Sequence, residues 1–301
     1  TMGASAGLVP RQLLCDVFNS ASRAVWAGLV STPSAEVLGE LLDRARQAAS
    51  EAAELLMHPP ADLLVESKST PTDAVTIMDK RSEALLVSLL LDGRESDGIL
   101  GEEGSDRPGT SGFRWVIDPI DGTVNYLYGL PGWSVSVGLE YEGRPVVGVV
   151  AVPTYGVTYF GASGLGSFRE RGGQAEQISP SEVSELAMAL TATGFGYASE
   201  RRAFQAEVLQ TMLPEIRDIR RAGSAAVDIC WVADGSVDAF YEKGLNPWDF
   251  AAAAVIAAEA GVTLAGLDGR EPNPDLTIAA NPTLFAKFHD RLKSLGADRA
   301  V

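Results

Sequence analysis

The sequence predicts an α/β protein in which helices are layered on a largely antiparallel N-terminal sheet, followed by a smaller C-terminal α/β half. Three observations carry this expectation. Residues 35–56 repeat apolar side chains at helical spacing, residues 134–171 read as strands joined by short turns, and strand-like and helical stretches alternate after residue 186.

Taken in order, residues 1–34 form an N-terminal extension in which only 11–30 suggest a short helix. Ser34 is placed to cap a long amphipathic helix whose Val37, Leu41, Leu42, Ala45, Ala48, Ala49, Ala52 and Leu56 recur at three- and four-residue steps, ending before Pro59-Pro60. A polar, turn-rich segment from Lys68 to Asp79 leads to a second helix that starts at Thr76 or Asp79 and packs through Leu85, Leu86 and Leu89. Trp115-Val116-Ile117 reads as a strand running into Asp118. Two strands flank the turn Glu142-Gly143-Arg144, and 157–162 with 166–169 add antiparallel material. A composition change near Gly172-Gly173 divides the chain into halves at 35–175 and 176–301. In the second half, 186–191 reads as a strand, 202–213 as a helix, 237–242 as a strand, 250–260 as an apolar helix, 276–280 as a strand and 282–295 as a helix.

Composition narrows the function classes. With 301 residues and 46% hydrophobic content the chain can bury a large core. Its net charge of -16, from 40 acidic against 24 basic residues, predicts no nucleic-acid partner. Two distant cysteines fit neither a disulfide scaffold nor a zinc site. No apolar run reaches about 18 residues and no basic segment precedes a signal-like core, so neither a membrane nor export is expected and the location is read as cytoplasmic. Glycines 161–166 lie within strands, which excludes a dinucleotide fingerprint.

The chemistry concentrates at Asp118-Pro119-Ile120-Asp121-Gly122-Thr123. A strand fixes the direction of Asp118, Pro119 restricts the turn, and the Ile120 carbonyl can join both aspartates, so three oxygen donors converge within four residues. An all-oxygen set suits Mg²⁺ better than Zn²⁺, and a hard cation beside an anionic substrate suggests phosphoryl chemistry. Gly122 permits close backbone approach to phosphate and Thr123 offers a hydroxyl to a water. Four other places stay open. Lys68 can reach a phosphate and Asp79 a water, or Asp79 is a helix cap. Glu102 faces the metal, or Gly101-Glu102-Glu103-Gly104 is a charged turn. Gly223-Ser224-Ala225 presents helix N–H groups to a substrate, or marks close packing. Asp249 sits at the positive end of an apolar helix, as a ligand or as a simple cap.

In combination, Asp118-Pro119-Ile120-Asp121-Gly122-Thr123-Val124-Asn125-Tyr126, Gly101-Glu102-Glu103 and Asn246-Pro247-Trp248-Asp249 resemble the inositol monophosphatase family of magnesium-dependent phosphatases, across residues 35–295. The resemblance implies a layered αβαβα sandwich and a homodimer. It places metal ligands at Glu102, Asp118, the Ile120 carbonyl, Asp121 and Asp249, most of them in the first half. Thr123 and Asp79 would handle the attacking water, Lys68 would lie on an active-site loop, and Gly122 with Thr123 would receive phosphate oxygens. Gly223, Ser224, Ala225 and Glu242 fall where substrate hydroxyls are met. The implied reaction is Mg²⁺-dependent hydrolysis of a small phosphorylated metabolite by in-line attack of a metal-activated water. The stretch from Phe240 to Asp249 looks closest to the inositol-1-monophosphatase branch. Histidinol phosphate, fructose 1,6-bisphosphate and a 3′-phosphoadenosine nucleotide are alternative substrates, and a noncatalytic regulatory or binding protein that keeps the fold is the alternative class.

Overall fold

In the computed structural model, which describes residues 33–60, 65–67 and 74–300, helix α1 (Ala35–Met57) begins where Ser34 Oγ accepts the Val37 N–H at 3.3 Å. The helix expected within 11–30 lies outside the described residues. Five of the eight buried side chains of α1 are alanines, so its backbone lies close to the sheet it covers. Strands β1 (Glu66–Ser67) and β2 (Ala74–Val75) pair antiparallel just before α2 (Ile77–Leu91). The start of α2 is a capping box between Thr76 and Asp79.

The large sheet collects β3 (Gly98–Gly101), β4 (Asp106–Arg107), β5 (Phe113–Asp121), β6 (Ser134–Tyr141), β7 (Arg144–Val152), β8 (Val157–Ala162), β9 (Gly166–Arg171) and β10 (Gln174–Gln177). Its order is β10-β9-β8-β7-β6-β5-β3-β4, antiparallel except for the β3–β5 pair. The β6–β7 hairpin turns through Glu142 and Gly143, both at positive φ (49° and 76°), the sense that matches the twist of the flanking strands. Glycine accepts that conformation freely, whereas Glu142 carries some strain. A five-residue helix, α3 (Thr123–Leu127), follows β5 directly.

The second sheet contains β11 (Leu190–Thr193), β12 (Asp218–Arg220), β13 (Ala239–Glu242), β14 (Thr263–Ala265) and β15 (Thr277–Ala280), in the order β12-β11-β13-β15-β14. Helices α4 (Ser199–Met212), α5 (Ala225–Ala233), α6 (Pro247–Ala260) and α7 (Pro282–Ser294) accompany it. The strand expected over 186–191 starts only at Leu190, after a 3-10 turn at Leu186–Met188. Ala187 and Met188 are both exposed, which breaks the period of two that a half-buried strand requires.

Side-chain alternation resolves the layers. Val147 and Val149 join the core under α1 and α2, while Val150 and Val152 join a second core with α5 and α6. Across the second sheet Phe240 and Ala279 enter that same middle core, whereas Tyr241, Ile278 and Ala280 enter a third core with α4 and α7. Helices, sheet, helices, sheet and helices therefore stack as αβαβα around three cores, the sandwich that the motif resemblance implies. The middle layer sits very close. A Cβ on Gly148 would run into the Ala252 carbonyl, and one on Gly138 would lie 3.0 Å from Ala252 N. Among the described residues no helix is long and apolar enough to cross a membrane.

Candidate metal and active site

Strand β5 carries the first two acids to its end, where its pairing with β6 shifts register between Asp118 and Asp121. The Ile120 N–H donates to Asp118 Oδ1 at 3.0 Å, which turns the backbone so that Asp121 follows. Gly122 then adopts φ 95°, and a Cβ there would meet the Gly223 carbonyl at 2.9 Å. The third acid comes from α6. Asn246 and Asp249 form its capping box, with the Asn246 N–H donating to Asp249 Oδ2 at 2.6 Å. Asp118, Asp121 and Asp249 each direct a carboxylate oxygen to within 4.8 Å of the others.

Asp121 is the best-supported of the three. Its Oδ2 accepts from Ser224 Oγ at 2.6 Å and from the Ala226 N–H at 2.8 Å. The N-terminus of α5, expected to face a substrate, thus spends its first donors on a carboxylate of the cluster. Ser134 Oγ lies 3.1 Å from Ser224 Oγ, and Asn125 Nδ2 donates to the Ala222 carbonyl at 2.7 Å, so β6 and α3 are both tied to this segment. Sequence reading did not identify Ser134, and their partners lie about a hundred residues away.

Burial is the first cause that raises all three aspartates above the usual carboxylate range. Asp118 is pushed well up by desolvation, then by the charges of Glu102, Asp121 and Asp249. Asp249 is pushed well up by desolvation and then by Asp121. Asp121 rises only to about 6, because the Ser224 and Ala226 hydrogen bonds favour its charged form. Among the described residues, none of the three accepts a hydrogen bond from lysine or arginine. Glu102, in the turn after β3, is not part of the tight trio, but its charge is the next cause after desolvation that raises Asp118. The donor set is entirely oxygen, buried at Asp118 and Asp121 and half-buried at Asp249, and short of positive charge, so it fits a hard divalent cation.

Thr123 Oγ1 lies 3.0 Å from Asp79 Oδ1 and 3.0 Å from the Ile120 carbonyl. Asp79 does two things at once. Its Oδ2 takes the Thr76 N–H at 2.7 Å and the Thr76 hydroxyl at 2.6 Å, capping α2, while Oδ1 faces Thr123. Glu242 ends β13 half-buried, its carboxylate against Gly194, where a Cβ would collide with it. Desolvation, and then Asp121, push Glu242 up to about 8 against the opposing charges of Arg221 and Arg201. Lys68 lies outside the described residues. Asp228, in the first turn of α5, was not singled out from sequence. It is buried, with Oδ1 unpartnered among the described residues and its carboxyl held well above the usual range by desolvation and Glu242.

Comparison with known proteins agrees with this geometry. The model of the inositol monophosphatase family matches residues 37–296. The inositol-1-monophosphatase of Mycobacterium leprae is 43% identical over 280 residues, covering 91% of this chain and 90% of that protein. The solved structure of Mycobacterium tuberculosis SuhB superposes with a TM-score of 0.75 at 38% identity, over 87% of this chain and 98% of that one. A relative from Escherichia coli, 33% identical over 267 residues and covering 84% of this chain and 97% of that protein, bears the name Nus factor SuhB. That name, one of transcription, overturns the expectation that nucleic acid is excluded as a partner. Bulk charge was the wrong guide, since net repulsion from a phosphate backbone does not prevent a protein from joining an assembly through protein contacts. Family match, identity across most of the chain and a shared fold agree: this chain belongs to the inositol monophosphatase family.

Proposed function

We propose that this chain is a cytoplasmic, Mg²⁺-dependent phosphomonoesterase that hydrolyses inositol monophosphates. The observation that carries the reading is the trio of buried Asp118 and Asp121 with half-buried Asp249, whose carboxylate oxygens converge within 4.8 Å of one another. These acids, with the Ile120 carbonyl, would hold the cation. Bound there, it supplies charge neutralisation and Lewis acidity toward the phosphate.

The chain's own groups do the rest. Thr123 has one hydroxyl proton and two acceptors within 3.0 Å, Asp79 Oδ1 and the Ile120 carbonyl. Engaging the carbonyl as a ligand leaves that proton to Asp79, and the threonine oxygen is then free to accept from a water. The water oxygen bonds to phosphorus as the ester P–O bond breaks on the opposite side. The proton that the water loses passes through the Thr123 hydroxyl to Asp79, and the departing alkoxide takes a proton from a solvent water to leave as the alcohol. The Gly122 and Thr123 N–H groups would receive phosphate oxygens and Glu242 would meet a polyol hydroxyl, while Ser224 and the start of α5, engaged with Asp121, would support the cation site. Lys68, which precedes α2 in the sequence, would assist at the phosphate.

The test is phosphate release from inositol 1-phosphate, histidinol phosphate, fructose 1,6-bisphosphate and a 3′-phosphoadenosine nucleotide at matched Mg²⁺. The inositol ester is expected to give the highest kcat/KM, and a higher value for any of the other three removes the substrate assignment. The likeness to a Nus factor supports a second role in transcription beside hydrolysis. A chain silenced by Asp118→Asn should retain that role in cells, whereas its loss with hydrolysis ties the two together.

A further inference from the structure

Helix α2 carries a buried polar stripe. Asp79, Ser82 and Glu83 stand at positions i, i+3 and i+4, so they share one helix face, and all three are buried. Each grips a different segment of the acidic site. Asp79 meets Thr123 at 3.0 Å, and Ser82 Oγ donates to the Pro119 carbonyl at 3.2 Å, between the two aspartates of β5. Glu83 takes the turn that follows β3. Its Oε2 accepts the Glu103 N–H at 2.7 Å and its Oε1 accepts the Ser105 N–H at 2.9 Å.

Those two bonds complete the anchoring of Glu102. The Gly101 N–H donates to the Ser105 carbonyl at 2.6 Å, closing the turn, and the Glu102 N–H donates to the Ile117 carbonyl of β5 at 3.3 Å. Glu102 therefore stands between a backbone held by β5 and a backbone held by Glu83. Gly101 makes this fit possible, because a Cβ there would lie 2.5 Å from Glu83 Oε2. Glu83 is only 4% exposed, and among the described residues its carboxylate forms no ion pair with lysine or arginine. A buried carboxylate is costly unless its lone pairs are met, so its two N–H donors hold it as firmly as it holds them.

We propose that Glu83 is a positioning residue for the metal site: it presents Glu102 to Asp118, and its loss weakens divalent-cation binding rather than substrate binding. The inference rests on the reading of the acidic cluster as a cation site. Mg²⁺ titration by calorimetry without substrate tests it directly, in the parent, Glu83→Gln and Asp238→Asn. Groups that orient metal ligands are worth about 10- to 100-fold in affinity, so E83Q should bind Mg²⁺ at least about tenfold more weakly. Raising Mg²⁺ should restore its kcat, with KM for the phosphate ester at saturating Mg²⁺ unchanged. Asp238 accepts from Ser181 Oγ at 2.5 Å and from the Leu190 N–H at 2.7 Å in the second sheet, so D238N removes comparable support away from the site. It should bind Mg²⁺ as the parent does. Parent-like affinity in E83Q, or an equal loss in D238N, overturns the proposal. Absence of Mg²⁺ binding in the parent overturns the cation-site reading, and the proposal with it. Should E83Q fail to fold, Glu83→Asp keeps the charge but shortens its reach by one methylene, and parent-like affinity there is equally fatal.

Discussion

At the scale of single residues, Thr123 shows how one side chain is placed by two unrelated constraints. Its backbone begins α3 immediately after the left-handed Gly122, and its hydroxyl lies 3.0 Å from a carboxylate of a different helix, Asp79. The cap and the contact with Thr123 are not rival readings of Asp79, since a carboxylate has two oxygens and here Oδ2 meets Thr76 while Oδ1 meets Thr123. Thr123→Ala is expected to lower turnover by roughly 10²-fold, the usual scale for a positioned proton-transfer group. Mg²⁺ affinity by calorimetry should hold, and Thr123→Ser should recover much of the rate. Unchanged turnover in the alanine variant would remove the hydroxyl from the mechanism.

At the scale of elements, the decisive contact is α6 on the large sheet. Four consecutive alanines, Ala251 to Ala254, let its backbone descend onto Gly138 of β6 and Gly148 of β7, and this seating fixes where Asp249 enters the cluster. Ser136 Oγ, donating to the Trp248 carbonyl at 3.4 Å, adds a polar tie one turn earlier. Gly148→Ala would drive a methyl into the Ala252 carbonyl, which is backbone and cannot step aside as a flexible side chain would. Overpacking of this kind costs about 1–3 kcal/mol, so urea unfolding should shift to a lower midpoint and phosphate release should fall with it. A parent-like midpoint would mean that the helix moves away from the sheet at little cost.

At the scale of the whole molecule, the acidic cluster is a cost that the apo fold carries. Asp118, Asp121 and Asp249 are brought together from the large sheet and from α6, desolvated, and left without a lysine or arginine hydrogen bond among the described residues. A ligand that binds only the folded chain stabilises it by mass action, about 2.7 kcal/mol at a hundredfold excess over Kd. Adding Mg²⁺ is therefore expected to raise Tm by roughly 4 °C for a chain of this size, and chelation should reverse the rise. In Asp118→Asn the Mg²⁺-dependent rise should shrink, while the metal-free protein should be no less stable than the parent, because one of the mutually repelling buried charges is gone. A Tm indifferent to Mg²⁺ in the parent would contradict a cation site at this cluster.

The sequence by itself determined what depends on neighbours along the chain. The α1 helix with its Ser34 cap, the β6–β7 hairpin and the strand that delivers Asp118 and Asp121 follow from residue periodicity and turn chemistry, which act over a few residues. The motif resemblance placed the acids in one site because it carried fold information that spacing does not contain. Only the tertiary structure decided how that site is held. Ser224 serves Asp121 across 103 positions, Glu83 holds Glu103 across 20, and α2 packs with a polar face that its leucine pattern concealed. Such contacts depend on where two elements meet after the cores have formed, and a buried serine or glutamate looks the same in sequence as an exposed one until its partner N–H or carboxylate arrives.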